Sequence, residues 1–176
     1  MKKNVLVFGV ISGLIVSALM LTSVYIAYGQ EEFEGNMVLG FAMMIASLSF
    51  VYVGVRNYRN KYRGGYISFW DAFKVAIGIA FVACTIYVAA WMVLFYTAMP
   101  DWMDVYAGFV MRNAEKSGAT AAELAAAKAE LDFYREQYQS PFGIIWVTYM
   151  EILVVAIPVA LLSAVILKRK PKVSAA

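Results

Sequence analysis

An acid sits within the last long apolar run of this chain. Glu151 stands ten residues into the stretch Phe142–Leu167, roughly 14 Å past its outer end by helical rise. If that run crosses a bilayer, the carboxyl group lies in hydrocarbon, where an unpaired charge is costly and an ionisable residue is a functional-site hypothesis. The same level in the other runs offers Thr22, Ser23 and Tyr25 in the first and Thr85 and Tyr87 in the third, and no basic residue. The expected state is a neutral, hydrogen-bonded Glu151 facing the bundle interior, because desolvation disfavours the charged form. Such a group serves either as glue between helices or as a proton or cation site. Pro158 follows seven residues later on the same face and predicts a kink with a freed carbonyl near Val154.

Other chemistry finds little support. The chain has no histidine and a single cysteine, Cys84, so Ser-His-Asp and Cys-His constellations, histidine metal sites and thiolate clusters are excluded. No P-loop or dinucleotide-binding glycine pattern occurs, and no cofactor is expected. A carboxylate-only enzyme would need Glu31, Asp101 and Asp104 to converge in a cleft. Glu31, Glu32, Glu34, Asp101 and Asp104 all lie at run boundaries, where a solvated charged surface is the ordinary outcome. A non-enzymatic protein is therefore expected.

These residues are positioned by four apolar runs, at residues 5–28, 37–55, 69–98 and 142–167. A hydrocarbon core of ~30 Å needs about 20 helical residues, and each run reaches or nearly reaches that. The 62% hydrophobic content exceeds the roughly 45–50% of soluble domains. The fold class is all-α: one polytopic domain, residues 1–176, with four transmembrane helices. The first run is too long for a signal-peptide core of ~7–15 residues, and Ala27-Tyr28-Gly29 is a poor cleavage site. Ten of the fifteen Lys and Arg residues cluster at Lys2 and Lys3, from Arg56 to Arg63, and from Lys168 to Lys172. Basic short loops stay cytoplasmic, so both termini and the second loop are expected inside a bacterial inner membrane. The net charge of +3 then reflects contact with the lipid bilayer, and nucleic acid is not an expected partner.

The boundaries carry their own signals. Arg56, Arg59 and Arg63, interleaved with Tyr58 and Tyr62, read as a cytoplasmic collar in which rings sit at headgroup level and arginines meet phosphate. Gly64-Gly65 breaks the chain before Ser68, an N-cap for the third run. Asp71 and Lys74, three apart on one helix face, are expected to neutralise each other at the interface. Pro100 ends the third run.

Between the third and fourth runs, residues 101–140 predict a periplasmic helical hairpin. Trp102, Val105, Tyr106 and Phe109 fall on one helix face, and Ser117-Gly118 stops that helix with a left-handed cap. Thr120-x-x-Glu123 is a capping box opening a second helix, along which Leu124, Ala127, Leu131, Tyr134 and Tyr138 recur. Ser140-Pro141 caps and starts the fourth run. The hairpin's apolar stripes have three readings: they cover one another and the outer ends of the bundle, dock a protein partner, or lie in the lipid interface.

Gly9-x-x-x-Gly13, continued by Ser17, gives the first run a small-residue face for close packing. Packing against the second or fourth run is expected in preference to a homodimer seam, so a homo-oligomer is left open but not predicted. In mid-run, Cys84 reads as a small packing residue.

Val53-Gly54-Val55-Arg56-Asn57-Tyr58-Arg59, followed by Gly64-Gly65-Tyr66-Ile67-Ser68-Phe69-Trp70-Asp71-Ala72-Phe73-Lys74, resembles the bacterial membrane family catalogued as domain of unknown function 4199. The resemblance extends to Met99-Pro100-Asp101, the Ser117-Gly118-Ala119 turn and Glu151 before a basic tail. It implies four helices in a bacterial inner membrane and no known activity. In similar proteins a proline closely follows the acid, whereas here Ile152 and Leu153 intervene before Pro158. The leading functional expectation is a structural or assembly component; the alternative is a small transporter or channel component with Glu151 as its protonatable site.

Overall fold

The structure, a computed structural model, describes residues 1–29 and 37–170. Its described residues form six helices: α1 (Lys2–Tyr28), α2 (Met37–Tyr62), α3 (Phe69–Ala98), α4 (Trp102–Lys116), α5 (Ala121–Tyr138) and α6 (Pro141–Leu167). Helices α1, α2, α3 and α6 are long and apolar enough to cross a membrane. Helix α2 continues about two turns past the expected end of its run and absorbs most of the basic collar. No glycine or proline stands between Gly54 and Gly64, and Arg59 and Lys61 in its last turn suit the negative end of the helix dipole.

The local stop and start signals explain the remaining boundaries. Ser68 accepts a hydrogen bond from the Asp71 amide, and Ser140 accepts one from Gly143. Gly118 adopts φ +75°. The amides of Gly118 and Ala119 donate to the carbonyls of Glu115 and Ala114, completing a Schellman cap that an L side chain would strain. Thr120 and Glu123 form a reciprocal capping box. The amide and hydroxyl of Thr120 donate to Glu123, holding its carboxyl below the usual carboxylate range.

The four long helices form a ring in the order α1, α2, α6, α3, with α2 also touching α3 across the centre. Large apolar side chains such as Leu14, Phe81, Val93, Leu162 and Ile166 face outward, while Ser12, Ser47, Thr148 and Ser163 are buried. Asn4 of α1 bonds Asn57 of α2 at 3.0 Å, and Ser12 donates to the Ser47 carbonyl at 2.9 Å. These bonds place polar groups at helix seams, away from the apolar exterior.

Close approach depends on small residues. A Cβ on Gly9 would lie 2.6 Å from Val82 Cβ, and one on Gly13 would lie 2.9 Å from Ile86 Cβ. Both glycines therefore pack against α3. The expectation of a seam with the second or fourth run is corrected for these two positions, although Ser12 of the same helix does reach α2. Ser17 is buried. Two further seams have the same spacing: Ala72, Ala76 and Ala80 on α3, and Ala156, Ala160 and Ala164 on α6, all with 0% exposure.

The basic end is tied by the main chain as well. Ile67 and Arg169 exchange amide-to-carbonyl hydrogen bonds of 3.1 and 2.9 Å, and Arg59 donates to the Leu167 carbonyl at the end of α6. Asp71 pairs with Arg63 at 3.2 Å, so the expected neutralisation by Lys74 is replaced by a contact across the Gly64-Gly65 turn. Lys74 is exposed.

Overpacking at these contacts costs about 1–3 kcal/mol. Gly13→Val, and Gly143→Ala against the Gln137 carbonyl, should lower the unfolding temperature of the solubilised protein. Gly40→Ala should not, because its added Cβ meets only Met20 Cε at 3.9 Å. Equal melting of all three variants would contradict this packing.

Candidate functional site

Where the small-residue seams end, large side chains take over. Helices α3 and α6 emerge from the bundle into α4 and α5, which pair with each other, and α5 also packs on α6. Helix α5 approaches so closely that a Cβ on Gly143 would overlap the Gln137 carbonyl. The apolar stripes of the hairpin turn inward: Trp102 and Leu131 are buried, and Val105, Tyr106, Phe109 and Tyr138 pack on the core. Trp102 meets Trp91 of α3 edge to face at 5.4 Å, and Tyr138 meets Phe95 at 5.4 Å. At the rim, Tyr28 donates to Asp101, and Arg135 pairs with Asp104 at 3.0 Å.

Beneath this roof is a cavity of about 230 Å³ to which all six helices contribute. Helical spacing explains its walls, because residues four apart share a face. Met20 and Val24 come from α1, Tyr87 and Trp91 from α3, Trp102 and Tyr106 from α4, and Tyr134 and Tyr138 from α5. Met44, Met103, Thr148 and Glu151 complete the lining. A second, more open groove of about 560 Å³ runs between α2 and α6 below α5, along Phe41, Phe133, Trp146 and Val154. Met44, Tyr134 and Glu151 line both spaces.

Glu151 thus stands where cavity and groove meet. It is exposed, and it lines both spaces. It makes no hydrogen bond or ion pair with any described residue, and none of the lining side chains is Lys or Arg. The hydrogen-bonded acid expected from the sequence is accordingly an acid without a described protein partner. Thr148, one turn earlier, donates to its own helix at Ile144.

Of the hydroxyl residues expected at this level, Tyr87 reaches the cavity. Thr22 and Tyr25 are exposed and line neither space, and Thr85 shares a 2.7 Å hydrogen bond with Tyr149. Pro158 lies exposed within α6, which runs on to Leu167. The acids Glu31, Glu32 and Glu34 fall outside the described residues. Among the described residues, no group of three or more His, Cys, Asp or Glu side chains could hold a metal ion.

The cavity's electrostatics follow from one acid among phenols. Burial, reinforced by the negative charge of Glu151, raises the ionisation of Tyr106, Tyr134 and Tyr138 above the ordinary phenol value. All three remain neutral at neutral pH and can donate a proton in a hydrogen bond. Trp91 Nε1 is buried and unpaired. Tyr138 lies near enough to Trp91 and Thr148 for both to ease its ionisation slightly, without either contact completing hydrogen-bond geometry. Six aromatic residues of this lining escaped the sequence reading as a group, because their pairs lie on different helices. The four-residue spacing within each pair was the available signal.

Four apolar helices of this length, with a helical hairpin between the third and last of them, are compatible with a multi-pass membrane protein. The chain belongs to the family described as "Protein of unknown function (DUF4199)", whose profile matches residues 7–169. No curated protein and no solved structure matches it.

Removing the acid's charge should be visible in the phenols. In an alkaline titration followed by tyrosine absorbance, Glu151→Gln should move the late-titrating tyrosines to lower pH. The sign follows because a nearby anion opposes formation of phenolate. An unchanged titration curve would place Glu151 too far away to act on them.

Proposed function

We propose that this chain is a non-enzymatic, multi-pass protein of the bacterial inner membrane that takes a small ligand at Glu151, as a component of a transporter or channel. The observation that carries this reading is the cavity under the hairpin, built by all six helices around an acid with no described protein counter-charge. An acid kept only for helix packing would be expected to bond a neighbouring helix, and Glu151 does not bond one among the described residues. The inward-facing stripes favour a roof over a docking surface, since Trp102 and Leu131 are buried within the chain itself. The assembly reading that leads from sequence alone thereby loses much of its apolar contact surface. No catalytic residue is assigned: Asp101 is engaged by Tyr28 and Asp104 by Arg135.

In this reading the hairpin is periplasmic, and the termini with the Arg56, Arg59 and Arg63 collar are cytoplasmic, seated among anionic headgroups. An impermeant thiol reagent applied to intact cells should label Ala126→Cys and leave Arg59→Cys unlabelled. Labelling of both from the same side would overturn the topology.

The cavity is tested separately. In a Cys84→Ser background, Met44→Cys and Met103→Cys should react with a small water-soluble maleimide, whereas Ala80→Cys, at 0% exposure, should not. If all three cysteines are equally inert, the space is closed to aqueous solutes and the ligand-binding reading fails.

A further inference from the structure

The lining of the cavity narrows the chemistry of its occupant. Glu151 supplies one negative charge, and no basic side chain among the lining residues balances it. The balancing charge must then be a proton or a cation brought from outside. A metal ion such as calcium or magnesium is a poor candidate, because hard cations favour several carboxylate and carbonyl oxygens and this site offers one carboxylate, its other oxygens being neutral phenols and a threonine hydroxyl.

Those rings suit a different cation. Trp91 and Trp102 stand at 81° to each other with centroids 5.4 Å apart, and Tyr106 stacks on Trp102 at 5.7 Å. The wall is thus a packed cluster of aromatic rings, and a cation placed against such a ring's face is attracted by its quadrupole. Tyr87 lines the same space, and Met20, Met44 and Met103 add polarizable apolar surface.

We propose that the cavity beneath the hairpin binds an organic ammonium cation, with Glu151 as its counter-ion and the rings of Tyr87, Trp91, Trp102 and Tyr106 as its walls. This inference rests on the reading of the cavity as a ligand site and adds the class of ligand. The groove shared at Met44, Tyr134 and Glu151 gives such a molecule a lateral approach to the acid.

The test pairs choline with 3,3-dimethyl-1-butanol, its neutral carbon isostere, on the full chain in lipid nanodiscs. Tryptophan fluorescence reports binding because Trp91 and Trp102 line the site. Choline should change the emission saturably and the isostere should not. Glu151→Gln should weaken choline by about tenfold, as loss of an opposite charge in direct contact implies. Glu151→Asp should retain binding, and unchanged thermal melting of both variants would show that they are folded. An equal response to the isostere would overturn the cation preference while leaving a ligand cavity in place. Full choline binding by Glu151→Gln would overturn the counter-ion role. Silence towards both probes would overturn the ammonium inference, and maleimide labelling of the cavity cysteines then decides the broader reading independently.

Discussion

Close helix approach at the basic end of the bundle is the constraint from which the other features follow. Gly9 and Gly13 let α1 settle on α3, and the alanine rows at Ala72, Ala76 and Ala80 and at Ala156, Ala160 and Ala164 are fully buried in the same half. Between apolar helices in lipid, packing of small residues supplies association that hydrophobicity cannot, since the tails are equally apolar. The half near the hairpin is built oppositely. There Trp91, Phe95, Trp102 and Tyr138 hold the helices through large rings, and large rings leave space between them. The bundle is tight at one end and chambered at the other.

The hairpin belongs to that chambered half. Its capping box, its Schellman turn and the Ser140-Pro141 start fix where its helices begin and end. Its inward stripe then supplies the cavity with Trp102, Tyr106, Tyr134 and Tyr138. The extramembrane segment expected from sequence is thus a structural part of the site, and its phenols share an electrostatic environment with Glu151.

Much of this was legible in the chain because local signals determine local structure. Ser68, Thr120, Gly118 and Pro141 each state a helix boundary through hydrogen-bonding or φ requirements that need no distant partner. The identity of neighbours was not legible in the same way. Gly9 and Gly13 announce a close contact, but nothing in their spacing says that α3 makes it. Asp71 has Lys74 one turn away and nevertheless bonds Arg63, because the glycine turn folds the end of α2 back towards it. Thr22 and Tyr25 share a level with Glu151 and face away from it, since depth is set by counting residues whereas facing is set by helix rotation.

The two ends of the hairpin rise from α3 and α6, and those same helices carry Tyr87 and Trp91 on one wall of the cavity and Thr148 and Glu151 on the other. Its span is therefore a measure of the distance between these walls. Helix α5 is pressed against the first turn of α6 at Gly143, while α4 is held to α3 through Trp102 and Trp91. Joined at the Gly118 turn and continuous with α3 and α6 at its feet, the hairpin spans the gap between the two helices whose side chains face each other across the chamber.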